Sequence, residues 1–119
     1  HMNALNLACE DILESYDIDI LLMSDYDFAY DFKGEEVPET DGHGGQIETS
    51  RIMDIRGDLV KEDRPERKID YPRYKVIKDY SEYLTDGMRG DAKASSQEEG
   101  KKINDYIVEQ IVKIVKENF

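Results

Sequence analysis

The stretch DGHGGQIETS, residues 41 to 50, gathers most of the groups in this chain that could do chemistry. It holds His43; the other histidine, His1, belongs to a leading His-Met that reads as a cloning remnant over residues 1–2. An imidazole titrates near neutral pH and can pass a proton to or from a reacting group. Glycines at 42, 44 and 45 allow positive φ and remove side chains that would shield the ring. A helix starting near Gln46 would add free N–H groups and the positive end of its dipole beside them. On that helix Glu48, Ile52, Ile55 and Leu59 are spaced four, three and four, so the carboxylate tops the stripe expected to be buried. An inward carboxylate without a basic partner suits a hard cation. The plainer reading has equal standing on spacing alone. With Gly45 as N-cap, Glu48 is the acid of a first helical turn, Asp41 before Gly42 is turn chemistry, and a lone histidine among glycines is more often a surface residue.

The flanking elements must position this loop. Residues 3–16 predict an amphipathic helix, with Leu5, Ala8, Cys9, Ile12, Leu13 and Tyr16 on one face. Ile18 to Ser24 is apolar at consecutive positions, the mark of an interior parallel strand. Residues 25–45 read as a long loop, and Gln46 to about Val60 as a helix with its Ile52–Ile55–Leu59 stripe buried. Between 61 and 94, Pro65 and Pro72 break the pattern, Val76–Ile77 predicts a short strand, and TDGMRGD a turn. The last segment is the clearest helix. Ser95 or Ser96 can cap it, Glu98 and Glu99 complete a capping-box pattern, and Ile103, Ile107, Ile111 and Ile114 form its buried stripe. Gly100 inside it costs about 1 kcal/mol against alanine. One confident strand has no ladder partner, so the chain reads as the C-terminal part of a larger α/β protein whose preceding strand is absent.

Composition narrows the function. With 119 residues the chain is one domain at most, and a net charge of −12 would repel nucleic acid. No apolar run approaches the roughly 20 residues that span a bilayer, so no membrane partner is expected. Cys9 is the single cysteine, which leaves no intramolecular disulfide and fits a reducing, cytoplasmic setting. A zinc site built only from this chain's cysteine and histidine is excluded.

The run DGHGGQIETSRIMDIRGDLV from Asp41 resembles the creatininase (creatinine amidohydrolase) family, which carries a His-Ala-Gly-x-x-Glu-Thr-Ser pattern, a helix, and a Pro-or-Gly-Asp-Leu-Val ending. Here Gly44 stands in place of the alanine. The preceding helix–strand and the later GMRGDAKASSQEEGKKI also look like that family's C-terminal half. The closest likeness is to its archaeal branch, which includes a hydrolase deformylating a formylaminopyrimidine nucleotide. The resemblance implies residues 3–119 of a three-layer α/β/α domain with a mainly parallel sheet, lacking the N-terminal half. It implies two divalent metals (zinc, manganese or iron), held mostly by that missing half. It also implies that His43 shuttles a proton at a scissile C–N bond, that Glu48 faces the metals, and that Asp41 and Gly44 line the substrate. The expected partners are a small-molecule amide and a second copy of the chain. Creatinine-like cyclic amides and small peptides stay open as substrates, and Arg51 or Arg89 could meet a phosphate, though solvated surface charge is the preferred reading for both. The rival reading is a non-catalytic assembly module, suited by the striped last helix and eight tyrosines.

Overall fold

The computed structural model describes residues 1–38, 41–84 and 86–119. Within them, α-helices run over Met2–Ser15 (α1), Asp25–Lys33 (α2), Gln46–Arg56 (α3) and Gln97–Asn118 (α4). Glu66–Arg67 (β1) pairs antiparallel with Gly90–Asp91 (β2), Glu66 opposite Asp91 and Arg67 opposite Gly90.

The core forms where α3 and α2 pack on α4. Ile103 and Ile107 of the predicted stripe are buried there with Ile47 of α3 and Ala29 of α2, and Phe28, Val37 and Ile111 pack around them. Burial of each such isoleucine contributes about 1.5–3 kcal/mol. Gly100 lies at the crossing of α3 and α4. A Cβ there would run into the backbone carbonyl of Ser50, so the glycine permits the close approach. Ser50 is fully buried and joins the helices by donating to Glu99 and accepting from the Ser96 N–H.

The capping box is half made. Ser96 caps α4 by accepting from the Glu99 N–H at 3.2 Å, as expected. The Glu99 carboxylate does not return to Ser96; it accepts from Lys33 of α2 and from Gln46 and Ser50 of α3. Burial pushes its carboxyl up, but the Lys33 ammonium with those donors outweighs this and holds it below its ordinary value. One carboxylate thus ties three helices together.

Several expectations need correction. Ile18–Ser24 forms no strand; without a neighbour to satisfy its N–H and C=O groups, an apolar segment has no ladder to join. The only pairing among the described residues is the short antiparallel one, so the parallel sheet is not seen in this chain. Val76–Ile77 is not a strand either, and Val76 is exposed. The turn at TDGMRGD is present over its described part, with Gly87 at φ +76° and its N–H bonded to the Leu84 carbonyl, while Gly90–Asp91 enters β2.

The supposed loop 25–45 contains α2, which begins where Ser24 accepts from the Tyr26 N–H and Asp25 and Asp27 favour the positive end of the dipole. Residues 39 and 40 of that segment lie outside the described ones. On α3 the stripe is inverted: Ile47 and Ser50 are buried, whereas Ile52, Ile55 and Leu59 are exposed. Predicted helix α1 forms but buries nothing, and Leu5, Ile12 and Leu13 lie open. The radius of gyration, 17.2 Å, exceeds the about 13–14 Å of a compact domain of this length. The open apolar faces and this extent both mark a core that the chain does not close by itself. Among the described residues, no helix is long and apolar enough to cross a membrane.

Candidate functional site

The loop Asp41–Gly45 is held from two sides. Oδ1 of Asp41 accepts from the Gln46 N–H at 2.8 Å and the Ile47 N–H at 3.5 Å, so it caps α3 in place of Gly45, which has no side chain to do so. Burial, opposed by those backbone donors, leaves the Asp41 carboxyl above its ordinary value. From the other side the Arg89 N–H donates to the His43 carbonyl at 2.7 Å, which hangs the loop on the segment entering β2. Two N–H groups at the start of α3 are therefore occupied. The expectation of free N–H groups at this helix start is corrected for these two, because Asp41 already uses them.

Gly44 takes φ +68°, a left-handed backbone that favours glycine. That geometry turns its N–H onto Oε2 of Glu48 at 2.6 Å, while its carbonyl accepts from the Thr49 hydroxyl. Oε1 of Glu48 accepts from the Tyr26 hydroxyl of α2. Oε2 also stands 3.7 Å from Nδ1 of His43, whose side chain is 77% exposed against 28% for Glu48. His43 and Glu48 are thus brought together. Asp41 sits behind them as a cap, with Oδ2 buried and unpaired among the described residues.

Tyr26 escaped the sequence reading because residues 25–45 looked like loop; the signal that could have found it was Ser24 followed by two aspartates and an aromatic pair, Phe28 and Phe32, four residues apart. Burial, and next the bond to the Glu48 carboxylate, push the Tyr26 phenol well above its ordinary value, so it remains a donor at neutral pH. The neighbouring Tyr30 is raised first by burial, then by the charges of Asp41 and Glu48.

Arg51 and Arg89 are not solvated surface charges. Arg51 donates to Asp25 at 2.6 Å and to Asn104 at 3.0 Å and lies over the Tyr26 ring; Arg89 lies over the Tyr71 ring at 5.3 Å. Next to the loop a cavity of about 470 Å3 is lined by Gly44, Glu48, Ile52 and Met88, with Lys61 and Arg64 also in its wall. Such a volume suits a small molecule.

The donor set does not fit a complete metal shell. Among the described residues no three His, Cys, Asp or Glu side chains converge as a metal site. Of the about four lone-pair positions on a carboxylate, three on Glu48 face Tyr26, Gly44 and His43. At most one remains for a cation, so other ligands must come from elsewhere.

Over residues 1–115 the chain matches the model of the creatininase family, described as creatinine amidohydrolase. No curated protein matches it in sequence. Among solved structures it is similar to a single-substitution creatininase mutant, with 25% identity and a TM-score of 0.75 over 97% of this chain and 49% of that one. A second mutant, of the Zn-Zn type, is 26% identical with a TM-score of 0.75 over the same shares. Creatininase Mn, at 24% identity and a TM-score of 0.76, again over 97% and 49%, shares the fold. The chain spans about half the length of these structures.

Proposed function

The chain belongs to the creatininase family, and from that premise we propose that it forms part of a metal-dependent amidohydrolase acting on a non-peptide C–N bond. The observation that carries this is the approach of an exposed imidazole, His43, to the Glu48 carboxylate, which with Gly44 lines a small-molecule cavity beside it. His43 would deliver the proton to the departing nitrogen. Gly44 would let substrate approach the backbone, and Asp41 would hold the loop in place behind it. Divalent metal, named as zinc or manganese in the similar structures, supplies Lewis-acid activation of water when bound. Glu48 would face it as this chain's one contribution, the remaining ligands lying in sequence outside these 119 residues.

A formamide or a cyclic amide fits the cavity. Lys61 and Arg64 in its wall stand beside Glu48, Asp63 and Asp86, so the lining is of mixed charge and a formylaminopyrimidine nucleotide is one candidate among these amides. The uncovered faces of α1 and α3 favour pairing with further protein, including a second copy, and they are the observation behind the rival reading of a non-catalytic assembly module. Assays of the complete metal-loaded protein on an N-formyl aminopyrimidine nucleotide, creatinine and a short peptide separate the readings. Metal-dependent release of formate, or opening of the cyclic amide, is expected. Cleavage of the peptide alone, or no turnover with any metal, would refute the assignment.

A further inference from the structure

The geometry points to a chain of three side chains, Tyr26–Glu48–His43, in which Glu48 holds Nδ1 of the imidazole and Tyr26 holds Glu48. This deepens the reading above and rests on His43 being the group that moves the proton. An imidazole that exchanges a proton through Nε2 must keep its other proton on Nδ1, and the tautomer is set by the partner of Nδ1. A carboxylate in that position fixes both tautomer and ring orientation.

The carboxylate oxygen facing Nδ1 is Oε2 of Glu48, at 3.7 Å. That is beyond hydrogen-bond range, and a ring rotation closing it by less than about 1 Å makes the bond. Such bonds are commonly long until substrate arrives. Glu48 itself is not free to swing. Tyr26 fastens Oε1, and the Gly44 N–H fastens Oε2 at 2.6 Å, which leaves a second lone pair on Oε2 for the ring. Tyr26 is fixed in turn under the Arg51 guanidinium, 5.7 Å from its ring centre, and Arg51 is tied to Asp25 and Asn104. Helix α2 therefore reaches the imidazole through Glu48. Tyr26 and Glu48 are positioning residues that act through His43.

Nitrogen-15 NMR of the 119-residue chain, at a pH above imidazole titration, reports the tautomer of each histidine, and His1 is an exposed reference in the same molecule. His43 is expected to carry its proton on Nδ1, whereas His1 shows the Nε2–H preference of a free side chain. Glu48→Ala should return His43 to the His1 pattern, and Tyr26→Phe should reduce the Nδ1–H population, with dispersed amide spectra showing that both variants fold. A wild-type His43 indistinguishable from His1 would overturn the chain, as would an Nδ1–H form that survives Glu48→Ala, or a Tyr26→Phe spectrum identical to wild type. The wild-type spectrum decides even if a variant fails to fold. Because no turnover is measured, failure of the hydrolase assignment and failure of this one are separable.

Discussion

His43→Ala is expected to lower kcat of the complete metal-loaded protein by about 10²–10⁴-fold, the range that a positioned acid or base contributes, with fold and bound metal unchanged. The side chain is 77% exposed, and it approaches the Glu48 carboxylate at 3.7 Å. The structural tie of the residue runs through its backbone carbonyl to the Arg89 N–H, which alanine keeps. Removing an exposed ring of this kind changes stability by no more than about 0.5 kcal/mol. Loss of turnover at constant melting temperature therefore isolates proton transfer. Glu48→Gln differs, because its carboxylate gathers Tyr26 and Gly44; an amide has a single acceptor oxygen, so one donor is left unpaired at about 1–3 kcal/mol. Measured kcat, metal content and melting temperature for both variants distinguish the roles. Near-normal turnover in His43→Ala would make the loop merely structural.

The second large effect is on stability, at Gly100→Ala. Helix propensity alone predicts that alanine stabilises by about 1 kcal/mol. The contact with α3 predicts the reverse. The added methyl meets the Ser50 carbonyl, a backbone atom that cannot move aside by changing rotamer, and forcing atoms into a filled crossing costs typically about 1–3 kcal/mol, occasionally more. Parting α3 from α4 also strains the bonds from Ser50 to Glu99 and Ser96. We expect steric cost to exceed propensity, with a melting temperature lower by several degrees at roughly 4–8 °C per kcal/mol. A variant that melts higher than wild type would mean that the helices separate at little cost.

What the sequence revealed depended on whether a signal was local. Helix α4 was legible because its cap, Ser96, and its stripe, Ile103 and Ile107, lie within the helix itself. His43 and Glu48 were legible as a pair for the same reason: they stand five positions apart, across one turn. Gly100 looked like a local defect because its reason, Ser50, is 50 residues away. Glu99 looked like half of a capping box because Lys33 and Gln46 cannot be seen beside it in sequence.

The two larger misreadings share one cause. Ile18–Ser24 and the Ile52–Ile55–Leu59 stripe carry the apolar pattern of buried elements, yet among the described residues the stripe and Ile18 lie exposed and Ile20–Ser24 are only half-buried. We propose that their pattern reflects contacts with further protein, and the half-length match to creatininase structures accords with that. Helix α2 was hidden by its composition: two aspartates and a tyrosine precede its first phenylalanine in the run Asp25-Tyr26-Asp27-Phe28, which reads as loop unless Ser24 is recognised as a cap.

Calorimetric titration of the 119-residue chain with zinc and with manganese tests most directly whether this chain supplies the proton-transferring histidine while the metal ligands lie in other sequence. With one imidazole and one carboxylate at the site, two of whose lone-pair positions are bonded and a third faces the imidazole, four ligands cannot be assembled. Weak binding or none, at a dissociation constant far above micromolar, is the predicted result. Tight stoichiometric binding by the chain alone would contradict it and place the metal centre within these residues.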